Sequence, residues 1–272
     1  MTHDFSRRSS CLVRWLPILA VLLALGASPG RARADSILYV SESNNTIQSF
    51  TPGGVASTFA STGLNEPVGL AFDGSGNLYA ANLGNSTIEE FTPGGVASTF
   101  ASTGLNDPFG LAFDGSGNLY AANYGNNTIE KFTPGGVAST FASTGLSNPF
   151  GLAFDGSGNL YAANQGNNTI EKFTPGGVAS TFASTGLSLP EGLAFDGSGN
   201  LYAVNAGNGT IEEFTPGGVA STFATTTAAP RFLAFGPSAV PEPPSAVLAG
   251  LGLAVVGALV AWRRRAARPA AA

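Results

Sequence analysis

The residues best suited to chemistry in this 272-residue chain are carboxylates set among turns. The stretch Asp-Gly-Ser-Gly-Asn at 73–77 offers oxygen ligands from Asp73, Ser75 and Asn77, the kind a hard cation takes. An EF-type calcium loop counted from Asp73 needs Gly at its sixth place and Glu at its twelfth, where this chain has Leu78 and Gly84. The stretch therefore reads as a hairpin turn, with Gly at both flexible positions. Glu89-Glu90 and Glu212-Glu213 are carboxylate pairs, but neighbours on a strand point to opposite faces and cannot share a proton. They read as solvated edge residues. The single His is His3 and the single Cys is Cys11, so residues 35–239 hold neither type. That excludes disulfides, Cys or His metal sites and His-based catalysis from this region. No catalytic residue, metal ligand or cofactor-binding residue is identified, and no cofactor is expected.

The carboxylates recur because the chain repeats. "GLAFDGSGNLYAAN" stands at 69–82, 110–123 and 151–164, and returns with one change at 192–205. Phe50, Phe91, Phe132, Phe173 and Phe214 are spaced 41 residues apart. That period belongs to propeller blades or helical arrays, and the composition decides. The unit is rich in Gly, Thr, Ser, Asn and Phe, and turn signals arrive every few residues. Four strands fit one unit: 68–73, 77–82, 86–91 and 96–101. Ile88 and Phe91 fall on opposite faces, as do Leu78 and Tyr79, so each small sheet is apolar on both sides. A blade between two neighbours needs that. Residues 37–61 supply the last three strands of a unit, and "RFLAFGP" near 231–237 supplies a first strand alone. The expected fold is therefore all-β, a five-bladed β-propeller whose C-terminal strand completes the N-terminal blade. Closure would remove two raw sheet edges. An open arc or a ring of several chains is the alternative.

The pattern P-x-G-L-A-F-D-x-x-G-N-L-Y-A-A-N-x-G-N-x-T-I-x-x-F-x-P-G-G resembles the NHL repeat, and "AANxGNNTI" is similar to the YVTN-type propeller repeat. The likeness spans nearly all of 36–236. It implies the fold strongly and the function weakly, because such propellers serve as binding modules, scaffolds and enzymes. Where NHL blades often carry a basic residue, this chain has Thr87, Thr128, Thr169 and Thr210.

The two ends read separately. Residues 1–34 combine Arg7, Arg8 and Arg14, an apolar run from Trp15 to Leu25, and Ala32-Arg33-Ala34. This is the pattern of a signal peptide cleaved after Ala34. Residues 35–239 then form the propeller domain, and 240–272 a tail. The tail starts with Val240-Pro241-Glu242-Pro243, continues through an apolar stretch at 245–262 and ends in Arg263-Arg264-Arg265. Eighteen residues rising ~1.5 Å each span ~27 Å, enough for a transmembrane helix. Motif, apolar stretch and Arg cluster in this order resemble the PEP-CTERM sorting signal. The resemblance implies a Gram-negative host, export to the cell envelope, cell surface or extracellular matrix, and an exosortase-type processing enzyme as partner. A plain C-terminal anchor is the alternative.

Within 35–239, fifteen acidic residues face three basic ones, Lys131, Lys172 and Arg231, for a net charge of −12. Nucleic acid and anionic membrane faces are poor partners for such a surface. The repeats differ at Val68, Phe109, Phe150, Glu191 and Arg231, and at Leu83, Tyr124 and Gln165. Strand alternation puts all eight on one face of the disc, the first five around a central mouth. They form the candidate ligand face, where exposed aromatics could stack on a ring. Glu191 and Arg231 are expected to form a seam ion pair. The expected function is an exported, non-enzymatic binding or scaffold module, partnered by exopolysaccharide or a surface protein. The alternative is a lyase or lactonase of the propeller type, whose relatives gather His or several carboxylates and Asn around a metal.

Overall fold

The computed structural model describes residues 37–51, 53–226 and 231. Its regular elements are all strands, and they form five consecutive antiparallel sheets. The first sheet is β1 (Leu38–Glu42), β2 (Thr46–Phe50) and β3 (Ala56–Ala60). The second is β4 (Pro67–Phe72), β5 (Leu78–Asn82), β6 (Thr87–Phe91) and β7 (Ala97–Ala101). The third holds β8 (Pro108–Phe113), β9 (Leu119–Asn123), β10 (Thr128–Phe132) and β11 (Ala138–Ala142). The fourth holds β12 (Pro149–Phe154), β13 (Leu160–Asn164), β14 (Thr169–Phe173) and β15 (Ala179–Ala183). The fifth holds β16 (Pro190–Phe195), β17 (Leu201–Asn205), β18 (Thr210–Phe214) and β19 (Ala220–Thr225). Strand order within each sheet follows chain order, so each repeat is one blade of a five-bladed propeller.

The turns explain the strand breaks. In Asp-Gly-Ser-Gly-Asn the Asp73 Oδ1 accepts N–H bonds from Ser75 and Asn77, both at 2.8 Å. Gly76 there has φ 87°, a region that L side chains avoid. The carboxylate is thus occupied in shaping its own hairpin. The Tyr and Ile face of one blade packs on the Leu and Phe face of the next: Tyr79 and Ile88 meet Leu119 and Phe132, and Tyr120 and Ile129 meet Leu160 and Phe173. Each such fully buried side chain contributes ~1.5–3 kcal/mol. Both faces of a blade are consumed in this way, as the apolar pattern required.

The first strands of neighbouring blades lie against one another, β4 on β8, β8 on β12 and β12 on β16. Their approach depends on one residue per blade. A Cβ at Gly69 would overlap the carbonyl oxygen of Phe109, one at Gly110 that of Phe150, and one at Gly151 that of Glu191. Only Gly lets backbones meet this closely.

One expectation is corrected. The N-terminal blade has three strands, and among the described residues no closing strand pairs with β1. Leu38 stays 37% exposed, whereas its counterparts Leu78, Leu119, Leu160 and Leu201 are fully buried. Phe223 of the fifth blade is likewise 51% exposed. Among the described residues, no strand covers these apolar groups as a neighbouring blade covers their counterparts at the other seams. Of the segment expected to close the ring, 231–237, only Arg231 lies within the described residues. Among the described residues no helix is long and apolar enough to cross a membrane, and the helix expected in the tail does not fall among them. The stretch 245–262 lies outside them, as do Ala34, Val240–Pro243 and Arg263–Arg265.

Candidate active site at the channel mouth

Each four-stranded blade enters its first strand through the same device. In the fifth blade Pro190 pairs with Asn205 and Leu193 with Ala203, so Glu191 and Gly192 together oppose Val204. The equivalent register shifts fall at Val68-Gly69, Phe109-Gly110 and Phe150-Gly151. A bulge of two residues against one re-aims a side chain, and here it aims the variable residue while the Gly admits the next blade. The linker before it is pinned by a buried Asn. Asn164 Oδ1 accepts the Ser147 N–H at 3.1 Å, and its amide donates to Gly145 O at 2.8 Å and to Thr169 Oγ1 at 3.1 Å. Asn82, Asn123 and Asn205 do the same in their blades. These four residues were not singled out from sequence. Their signal was their place, the invariable last residue of "LYAAN" and "LYAVN".

Six of the eight variable-face residues come together. The Phe109 and Phe150 rings stack at 4.4 Å, and Phe109 meets Tyr124 at 5.1 Å. The Tyr124 hydroxyl donates to Gln165 Oε1 at 3.1 Å, and Gln165 Nε2 donates to Glu191 Oε1 at 2.9 Å. Arg231 Nε lies 3.8 Å from Glu191 Oε2. The other two stand apart. Val68 packs in the apolar seam and its carbonyl accepts the Ser41 hydroxyl at 2.8 Å. Leu83 is half-buried, its N–H bonded to Glu66 O.

Glu191 is the unusual member. It is only 4% exposed, and its Oε2 is buried without a hydrogen bond. Burial pushes its carboxyl up to about 7, while the Arg231 charge and the Gln165 hydrogen bond pull it down. The consequence for stability has a definite sign. The unfolded carboxyl titrates near ~4.3, so as pH rises from ~4 to ~7 the unfolded chain releases a proton that the folded one keeps. Stability is therefore lost across that window. Glu191→Gln removes the loss: the variant should match the wild type near pH ~4 and exceed it near pH ~8 by on the order of 3 kcal/mol, raising its melting temperature by roughly 5–10 °C. Urea unfolding at the two pH values checks this, and an equal difference at both would contradict it.

On the side of the Asp-Gly-Ser-Gly turns a cleft of ≈ 310 Å³ is lined by Asp114, Tyr120, Lys131, Phe141 and Phe154. Lys131 Nζ sits 3.9 Å from Asp114 Oδ2 and 5.4 Å from the centre of the Tyr120 ring. Burial opposes ionisation of Asp114, but the Asn118 and Ser116 hydrogen bonds and the Lys131 charge hold its carboxyl below the usual range. The carboxylate pairs correct an expectation. Glu89, Glu130, Glu171 and Glu212 are not solvated but buried, and each accepts a Thr hydroxyl, as Glu130 does from Thr140 at 2.7 Å. The strand after each one bulges, and a linker Gly covers the carboxylate. Among the described residues no group of three or more His, Cys, Asp or Glu could hold a metal ion. A metal-centred propeller site does not fit these side chains.

The chain is thus a five-bladed β-propeller bearing a C-terminal PEP-CTERM protein-sorting motif, matched at residues 239–265. The motif marks it for export to the cell envelope or surface and for an exosortase-type processing partner. No curated protein matches the chain in sequence. Solved structures do. Virginiamycin B lyase from Staphylococcus aureus is 18% identical with a TM-score of 0.63, over 74% of this chain and 71% of that one. A gluconolactonase from Xanthomonas campestris is 19% identical with a TM-score of 0.65, over 73% and 75%. A chain of a nidogen/laminin complex is 26% identical with a TM-score of 0.67, over 74% and 82%. The two enzyme likenesses, at such identity, establish the fold. They also correct the expectation of a non-enzymatic module, since propellers of this shape include lyases and lactonases. That expectation leaned on the missing His.

Proposed function

We propose that the propeller is an enzyme of the lyase or lactonase type that opens a cyclic ester at the mouth lined by Phe109 and Tyr124. One observation carries the reading: Glu191 is a buried carboxyl poised about 7, with Oε2 free of hydrogen bonds and a guanidinium beside it. An efficient general base has its pKa near the working pH. The ionised Oε2 takes a proton from water as the water oxygen bonds to the ester carbonyl carbon. Arg231 stabilises the oxyanion that develops there. Glu191 then returns the proton to the ring oxygen as the ring C–O bond breaks, leaving a hydroxy acid. The half-buried Phe109 and Tyr124 rings hold the flat face of the substrate, and Phe150, expected to be exposed, is instead buried and backs Phe109. The same base serves a ring-opening elimination, taking its proton from carbon instead.

The test is turnover of a lactone panel, beginning with glucono-1,5-lactone, followed by acid release and product mass. Hydrolysis adds one water, whereas elimination leaves the mass unchanged. Glu191→Gln is expected to lower kcat/KM by about 10²–10⁴, and the wild-type rate should rise with pH through about 7. Equal turnover by the variant would remove the proposal.

The reading extends to processing and family. Residues 1–34 act as a signal peptide cut after Ala34, 35–239 form the exported enzyme, and 240–272 are the sorting tail. The blades are of the NHL/YVTN type and the host is Gram-negative. The repeat pattern supports the first of these, and the motif through Val240, Pro241, Glu242 and Pro243 to Arg263, Arg264 and Arg265 supports the second.

A further inference from the structure

We infer that Tyr124, acting through Gln165, decides which oxygen of Glu191 does the chemistry, so that Tyr124 and Gln165 are positioning residues and Oε2 is the working atom. The inference rests on the acid–base reading of Glu191 and deepens it.

The contacts run through three blades in sequence. Tyr124 follows β9, Gln165 follows β13 and Glu191 lies in β16. The Phe109 ring packs against Tyr124 and against Phe150, which holds the phenol in place. An amide has two faces: one accepts and the other donates. Because the Tyr124 hydroxyl donates to Gln165 Oε1, the Nε2 end of Gln165 is turned to Glu191. Glu191 Oε1 must then accept, and an oxygen facing an N–H donor cannot also direct a proton along that line. The exchangeable proton is left to Oε2, the oxygen that accepts no hydrogen bond and faces Arg231 Nε at 3.8 Å. Arg231 is the one charged group that acts on Glu191 among the described residues, and Phe150 and Gln165 beside it are neutral. The ionised form is thus held at both oxygens, by an amide on one side and a guanidinium on the other. The protonated form is held only at Oε1.

The repeats supply a contrast. At the position of Tyr124 and Gln165 the other two four-stranded blades have Leu83 and Ala206, neither able to relay a hydrogen bond. At the position of Glu191 the other three four-stranded blades have Val68, Phe109 and Phe150. In a chain that otherwise copies itself closely, the polar pair occurs in the two blades leading to the single mouth carboxylate.

The experiment follows the Glu191 side-chain carboxyl by ¹³C NMR across pH in full-length protein labelled at Glu, with Glu191→Gln to assign the signal. Wild-type Glu191 should titrate near 7. Gln165→Leu installs the residue that the second blade already carries at this position, so the fold accommodates it. It should raise the midpoint by about 0.5–1 pH unit, the amount by which a hydrogen bond to the ionised form outweighs the same bond to the protonated form. Tyr124→Phe, which frees the amide to turn over, should move it in the same direction by less. Midpoints unchanged in both folded variants would overturn the relay. A purely structural role for the pair would alter melting without moving the titration. Displaced midpoints in a protein that turns over no lactone would keep the relay and discard the reaction.

Discussion

Asn164→Leu should destabilise the propeller by about 3–5 kcal/mol, though the new side chain has nearly the old size. The argument is one of unpaired groups. Asn164 is fully buried, and it serves the Ser147 N–H, the Gly145 carbonyl and the Thr169 hydroxyl at once. Leu offers none of these partners. Each buried donor or acceptor left alone costs about 1–3 kcal/mol, and Thr169 keeps the Asn167 side chain as a second partner, which limits the total. The loss should also reach the candidate site. The same linker takes the N–H of Gln165 on Asn148 O and that of Gly166 on Ser147 O, and it leads directly into β12 and Phe150. Urea unfolding measures the first effect. A loss below about 1 kcal/mol would mean that water or a shifted loop replaces the amide.

The second large effect is expected at the axis. Gly110→Ala should cost about 3 kcal/mol or more, at the upper end of what overpacking does. A Cβ there would overlap the Phe150 carbonyl oxygen and lie 3.1 Å from both Gly151 Cα and Leu152 N. All three are backbone atoms of the next blade, so no side chain can swing aside. Relief requires moving the blade, and with it the stacked Phe109 and Phe150. The control is Gly115→Ala in the hairpin turn, where an added Cβ meets nothing within 4 Å. That change should be nearly neutral. Thermal unfolding of the two variants separates a crowded axis from a general intolerance of alanine, and similar melting would refute the account.

These two residues mark the boundary of what could be read in advance. The strand–turn–strand unit was legible at Gly115 because a turn is local: Asp114 shapes it with its own neighbours at Ser116 and Asn118. Gly110 looked no different in sequence, one Gly among 37. Its role lies in a contact with Phe150, a blade away. Glu89 was read as solvated because strand alternation puts adjacent residues on opposite faces. The alternation holds, yet the following strand bulges and a linker folds over the carboxylate, which no pattern of two announces. Closure was over-read: the count of strands permits a ring, but pairing across the chain's full length depends on whether the ends meet, and Leu38 is left exposed.

At the candidate site the division is sharper. By itself the sequence determined the 41-residue period, the four strands of a blade, the turn nature of Asp-Gly-Ser-Gly-Asn and the sorting motif at the end. All of these depend on residues near one another along the chain. It also marked the variable face, because differences between near-identical copies are visible without coordinates. The Glu191–Arg231 pair was expected from the order of the repeats, but only the tertiary structure decided that Tyr124, Gln165 and Glu191 touch in a row, since Tyr124 and Gln165 are 41 residues apart and Gln165 and Glu191 are 26. Only burial decided that Glu191 holds its proton up to about 7. A carboxyl's affinity for a proton is set by the water, charge and dipoles around it, and those surroundings come into being when three blades converge.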